Sequence, residues 1–319
     1  MSAVNSLARP RRAGRSANRR PGRRPERMWA YLMVAPMTIG LSVFYLWPIA
    51  QTFFYSFTKS GPFGGHAWIG TANYRALVDE PSVLQSVANT LFYAVVQLAG
   101  IPLAVLLAAL LNQRGLRGRS IYRLVYFLPV VTMPVAVAML WRWMYNGDYG
   151  LINQLLSIVG VRGPHWASDP SVALYAVAAI GIWMALGYNM VIFLAGLQGI
   201  PTMYYEAAAI DGAGPAKMFF RITVPLLSPS IFFATVLTVI NSLQMFDLAY
   251  MMMSTPGAAA GTANPALPQV RTVSYLFYQK AFVEHDLGFG AAVAFVLLGF
   301  ILAMTLIQFR LQRRWVHYA

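Results

Sequence analysis

Glu206 and Asp211 are the two carboxylates of a short segment, residues 201–229 (PTMYYEAAAIDGAGPAKMFFRITVPLLSP), flanked on both sides by long uncharged runs. An acid carried on an otherwise apolar, helix-prone loop is equipped for recognition. Beyond it, Asn241, Gln244 and Asp247 follow at intervals of three, which places them near one face of a helix, beside Thr235, Thr238 and Ser242. Before it lie Trp183, Tyr188 and Asn189. Amides with nearby aromatics suit a polyhydroxylated solute, through paired hydrogen bonds to hydroxyls and stacking on C–H faces. The same amides would equally serve as glue between helices, and Asp247 as a structural bond at a span end.

Covalent chemistry has no comparable residue set. There is no G-x-x-x-x-G-K-[ST] to cradle phosphates, no H-E-x-x-H, no G-x-S-x-G and no acidic metal cluster. Cysteine is absent, and His66, His165, His285 and His317 fall outside the apolar runs. Met251, Met252 and Met253 are accounted for by apolar packing. No catalytic, metal or cofactor-binding residue is assigned.

The elements that carry these residues follow from charge spacing. Hydrophobic residues make up 58% of the chain and charged residues 11%, with a mean hydropathy of +0.55. Charges leave six neutral windows, between residues 27 and 59, 80 and 114, 123 and 142, 169 and 206, 221 and 247, and 286 and 310. A bilayer core needs about 20 apolar residues per helix, so the pattern predicts an all-α membrane protein with six transmembrane helices. They are placed near 30–57, 86–112, 122–145, 171–197, 222–250 and 287–309. A seventh window, 248–270, fails because Pro256, Gly257, Gly261, Asn264, Pro265 and Pro268 would leave backbone groups unbonded in lipid. Residues 149–161 have helical apolar spacing but are too few to cross, and are expected to lie on the membrane surface.

Lysine and arginine set the orientation. The segment before Met28 has nine arginines, residues 114–123 four, the loop Lys217 and Arg221, and the end Arg310, Arg313 and Arg314. That puts 18 of the 24 basic residues on one side, so both termini and the loop are expected to be cytoplasmic. The net charge of +14 is accounted for by this topogenic tail, which also meets anionic lipid; no nucleic-acid partner is expected. The first window is too long for a cleaved signal.

Within the loop, Pro201 stops the preceding helix and Thr202 can cap a new one with Glu206 in its first turns. Gly212 permits a sharp bend, Pro215 begins a second turn, and Pro225 and Pro229 kink the entry to the fifth span. Lys217 and Arg221 fall on one side of that turn, Met218, Phe219 and Ile222 on the other. The result reads as a protruding knob able to dock in a partner's groove, or as an ordinary interfacial helix joining two spans.

Glu206-Ala207-Ala208, Asp211-Gly212-Ala213, Phe219, Ile222, Pro225 and Pro229 together resemble the EAA loop of inner-membrane permease subunits in ATP-binding-cassette (ABC) importers, in the sugar-permease branch. Trp68 to Tyr74 resembles a recurrent W-h-G-h-x-N-Y pattern of the same family. One departure is Ala216, where many members carry an aromatic; Phe219 and Phe220 offer bulk nearby. The resemblance implies a type I ABC importer transmembrane-domain fold. Its divisions are an arginine-rich tail (1–28), a first span with external loop (29–85), a permease domain (86–309) containing the coupling loop (201–225), and a basic tail (310–319). It implies that the coupling residues are Glu206, Ala207, Ala208, Asp211, Gly212, Ala213, Phe219, Ile222 and Pro225.

Carried over by position from maltose-type members, pathway residues fall near Leu186, Gly187 and Met190 and on Asn241, Ser242 and Met245; residue type agrees only at Leu186 and Gly187. Tyr188, Asn189 and Gln244 join them from the polar-residue reading. The implied partners are a second homologous permease, an ABC ATPase dimer that binds ATP and Mg, an extracytoplasmic solute-binding protein, and a sugar-like solute. A secondary transporter is the alternative, but it would usually show repeated halves and ionisable residues at mid-membrane, and neither is evident.

Overall fold

The computed structural model describes residues 24–60, 65–113, 117–254 and 264–316. The chain divides into two compact units, Met1–Gln51 and Thr52–Ala319. Among its described residues the first has α1 (Arg24–Leu41), a π-helical turn (Ser42–Leu46) and the start of α2 (Trp47–Tyr55). From Met28 to Tyr55 this is one continuous apolar helix long enough to span a bilayer.

The second unit opens with an antiparallel pair, β1 (Thr58–Ser60) and β2 (His66–Trp68), in register Thr58↔Trp68. The α3 helix (Ala72–Asp79) is fastened to it, because Asn73 Nδ2 donates to the carbonyls of Ser56 and Thr58 at 2.9 and 3.0 Å. Tyr74 donates to Ser56 Oγ at 2.8 Å, and Trp68 stacks on Phe57. The Trp68 and Asn73-Tyr74 pattern is therefore a structural clasp on the loop after the first span.

The bundle proper is built on α4 (Pro81–Asn112) and α8 (Ala173–Gln198), which pack along each other. Small residues permit the approach, as expected where lipid offers no hydrophobic drive. A Cβ added at Gly181 would collide with Tyr93 Oη, and Gln97 Nε2 donates to the Ala178 carbonyl at 3.0 Å. Between them come α5 (Arg119–Val131), α6 (Pro134–Met144) and the short α7 (Leu151–Ile158), a helix within the segment 149–161. After α8 come α9 (Met203–Ile210), α10 (Pro215–Met218), α11 (Val224–Leu226), α12 (Ser228–Leu243) and α13 (Asp247–Met253). The series ends with α14 (Leu267–Val270), α15 (Val273–Tyr278) and α16 (Leu287–Trp315). One apolar core joins Val137, Val177, Ile180, Ala249 and Met252 from α6, α8 and α13. A second joins Ala104, Ala108, Met190, Phe193 and Ala234 from α4, α8 and α12.

Among the described residues four helices could cross a membrane unbroken: Met28–Tyr55, Pro81–Asn112, Ala173–Gln198 and Leu287–Trp315. The third and fifth expected spans are bent pairs, and six spans result only if each pair counts as one. The third bends by 104° between Val131 and Pro134. Proline pushes the residue before it out of the helical region, and Met133 is accordingly extended (ψ 132°), as is Thr132. The fifth, expected as one helix over 222–250, bends by 67° at its start and ends early, at Leu243. Residues 244–246 are unwound. Thr272 Oγ1 donates to the Met245 carbonyl at 2.7 Å, so a side chain from the start of α15 serves a backbone group that helix continuation would otherwise need to satisfy. Of the failed window 248–270, residues 255–263 lie outside the described residues; the rest forms only α13 and α14.

Candidate functional site

The loop is assembled from α9, α10 and α11. Thr202 occupies the position before α9, but with helical angles (φ −62°, ψ −26°) and no side-chain cap. Its backbone carbonyl accepts from Tyr205 and Glu206 N–H instead, so the expected hydroxyl cap is not made. Termination of α9 does follow the glycine. Gly212 is left-handed (φ 71°), Ala213 N–H donates to the Ala208 carbonyl and Gly212 N–H to that of Ala209, the paired bonds of a Schellman stop. The chain then reverses into α10 at Pro215 and continues through a π-helical turn, Phe219–Thr223, to α11.

The two arms are tied where the Tyr205 hydroxyl lies 3.0 Å from Thr223 Oγ1. Phe219, Ile222, Ala208, Ala213 and Pro225 are half-buried, while Ala207, Glu206, Asp211, Lys217 and Arg221 are exposed. Ile210 is 87% exposed and Phe220 69%, with Met203 and Tyr204 also outward. The loop thus offers apolar side chains and an acid to its surroundings. Behind it a groove of about 760 Å³ is lined by Asn112, Gln113, Arg123, Gln198, Tyr205, Glu206 and Phe219.

The second feature is a cavity of about 490 Å³ among α4, α6, α8 and the α12–α13 break. Six expected pathway residues line it: Tyr188, Asn189, Asn241, Ser242, Gln244 and Met245. Leu186, Gly187 and Met190 are not among its lining residues. Met190 is fully buried in the second core, Leu186 packs against that core, and a Cβ on Gly187 would collide with the Tyr126 carbonyl. The single helical face expected for Asn241, Gln244 and Asp247 does not form, since the helix ends between the first two. They converge on the cavity because the chain unwinds there. The side chains of Asn241 and Gln244 make no hydrogen bond to another described residue of this chain.

Thr238 and Asp247, named above among the polar residues of the fifth span, also line the cavity, as do Tyr93, Gln97, Pro134 and Phe246, which sequence reasoning had not picked out. Gln97 was legible by the rule that flagged the others, a polar side chain within a span. Tyr93 and Phe246 carry no such signal. Trp183, by contrast, packs edge-on to Trp141 at 5.6 Å in the core.

Residues 100–317 match the family model described as "Binding-protein-dependent transport system inner membrane component". The chain belongs to this family. The permease is 35% identical over 302 residues to the probable ABC transporter permease protein YesP of Bacillus subtilis (strain 168), covering 92% of this chain and 94% of that protein. It is 34% identical over 291 residues to the sn-glycerol-3-phosphate transport system permease protein UgpA of Pectobacterium atrosepticum, covering 90% and 95%. Its fold is shared with a chain of the crystal structure of a bacterial ABC transporter involved in the import of the acidic polysaccharide alginate, with a TM-score of 0.79 at 23% identity, covering 91% of this chain and 96% of that one. A crystal structure of a bacterial alginate ABC transporter in complex with an alginate pentasaccharide-bound periplasmic protein gives a TM-score of 0.78 at 22% identity. The permease is an inner-membrane protein, and the matched region contains the whole loop and all of the cavity except Tyr93 and Gln97.

Proposed function

We propose that this permease is one half of the translocation pathway of an ABC importer for a sugar or sugar-like solute, with six spans and both termini cytoplasmic. It pairs with a second, homologous permease. An ATPase dimer, which binds ATP and Mg, seats on the loop, and an extracytoplasmic binding protein delivers the solute. ATPase closure would push the loop and rock the bundle between inward- and outward-facing states.

The observation that carries this reading is the loop itself: two short helical arms, tied at Tyr205–Thr223, with Met203, Ile210 and Phe220 turned outward. Exposed apolar side chains beside an exposed acid are the composition of a docking knob. The excess of Lys and Arg on the loop side supports a cytoplasmic setting. The cavity's amides and hydroxyls supply groups for a polyol, and relatives named for glycerol phosphate and alginate transport support a sugar-like cargo.

Affinity purification of the tagged permease from native membranes tests it. An ABC ATPase should co-purify, and solute uptake by proteoliposomes should require internal ATP. Uptake that continues on an ion gradient with ATP removed would reject the importer in favour of a secondary transporter.

A further inference from the structure

Among the cavity's described lining residues Asp247 is the sole formal charge, and no lysine, arginine or histidine borders the space. Asp247 is exposed at the start of α13 and forms no ion pair with a described residue. The other polar groups are the hydroxyls of Tyr93, Tyr188, Thr238 and Ser242 and the amides of Gln97, Asn189, Asn241 and Gln244. Beside Asp247, Phe246 also faces the cavity and heads a run of aromatic rings. Its centroid is 5.3 Å from the near-parallel ring of Tyr250 and 5.2 Å from that of Tyr278; Tyr278 in turn stacks with the exposed Phe282 at 5.8 Å.

From this arrangement we infer that the α12–α13 break is a selectivity element for a sugar without acidic groups: Asp247 accepts from sugar hydroxyls while Phe246, backed by Tyr250 and Tyr278, stacks on a C–H face of the ring. This rests on the proposed function and narrows its substrate class. A sugar hydroxyl both donates and accepts, so it satisfies the carboxylate as well as the amides. A phosphate monoester or a uronate presents acceptor-only oxygens of the same sign as Asp247, with no neighbouring cation from this chain to offset the repulsion. In a cavity of intermediate dielectric that repulsion corresponds to discrimination of about tenfold or more. Aromatic faces add attraction for C–H surfaces and none for an anion. The permease would then differ in cargo from the relatives named for glycerol phosphate and for the acidic polysaccharide alginate.

The test is ATP-driven uptake by the complete transporter, with its own binding protein, in proteoliposomes. The probes are four neutral disaccharides (maltose, sucrose, trehalose, lactose), glycerol 3-phosphate, an oligouronate and a dipeptide. Uptake of at least one disaccharide, with glycerol 3-phosphate and the oligouronate at background, is the expected result. Transport of either acidic probe at a comparable rate overturns the inference and leaves the proposed function standing. ATP-driven transport of the dipeptide with every sugar and sugar derivative at background overturns both. On the transported disaccharide, Asp247→Asn and Phe246→Ala should each reduce uptake by about fivefold or more at subsaturating solute, and Phe246→Tyr should restore it. Wild-type rates in both Asp247→Asn and Phe246→Ala would remove the pair from the pathway.

Discussion

The hydroxyl of Tyr205, on the first arm of the 201–225 loop, lies 3.0 Å from Thr223 Oγ1 on the second, so one hydrogen bond spans 18 residues of sequence. This tie joins the loop's two arms, and the proposed coupling would have the push pass through it. Tyr205→Phe removes it at a cost of about 1 kcal/mol. The expected outcome is several-fold slower ATP-driven uptake with the complex still assembled, read by transport and by ATPase co-purification on the same preparation. Unchanged uptake would make the tie dispensable.

Gly212 offers a separate handle on the same loop. Its φ of 71° is left-handed, and a Cβ there would meet nothing within 4 Å, so any penalty is conformational rather than steric. Gly212→Asn, which tolerates that region, should keep docking close to wild type. Gly212→Val should weaken it by about 1–2 kcal/mol or more. Gly212→Pro, whose ring fixes φ near −65°, should abolish uptake while membrane insertion survives. Equal ATPase recovery from all three variants would show that the Schellman stop does not position the docking face.

Asn241 and Gln244 distinguish pathway from glue. Both face the cavity, and the side chain of neither is hydrogen-bonded to another described residue. Replacing either with Leu should therefore lower uptake several-fold at subsaturating solute while leaving the melting temperature of the solubilised complex close to wild type. A stability loss near 0.6 kcal/mol, the average for interhelical bonds in a membrane protein, with normal uptake would restore the glue reading.

Gly187 and Asn89 are expected to behave as structure. A side chain at Gly187 would strike the Tyr126 carbonyl, forcing α5 and α8 apart. Asn89 Nδ2 donates to the carbonyls of Pro268 and Arg271 at 2.8 and 2.9 Å and so holds the α14 loop onto α4. Gly187→Leu and Asn89→Leu should each lower thermal stability, the latter by about 1–3 kcal/mol for each carbonyl left unsatisfied. Thermal melts of the solubilised complex measure both. Transport per folded complex that remains wild type in Gly187→Leu would confirm that this residue packs helices rather than contacting solute.

How far the sequence foretold the structure depended on the kind of signal. Charge spacing located the four unbroken apolar helices and the two bent pairs, because an unpaired charge in lipid is costly whatever the fold. It could not locate the breaks. The Val131–Pro134 stretch ends in a proline, yet a proline alone does not say whether a span kinks slightly or turns by 104°. The unwinding at Gln244 to Phe246 has neither proline nor glycine; its carbonyl partner, Thr272, lies 27 residues further on. That break is what gathers Asn241, Gln244 and Asp247 at one cavity, so the residue set was readable while its cause was not. Leu186, Gly187 and Met190 were placed by position in other members of the family, and the packing of α8 against α5 and the second core turns them elsewhere. Within the loop the glycine stop was legible from residue type, whereas Thr202 gave a misleading cap signal because its backbone is already helical.

The central claim, that residues 201–225 seat on an ATPase, is open to a direct measurement because the chain contains no cysteine. A single Ala207→Cys, an exposed position on α9, can carry a short thiol-to-amine cross-linker in native membranes. The account predicts a covalent adduct with the ABC ATPase that diminishes when Gly212→Pro is added, together with no adduct from a cysteine at Tyr149 on the opposite face of the membrane. Absence of an Ala207→Cys adduct in membranes that still import solute with ATP would contradict it.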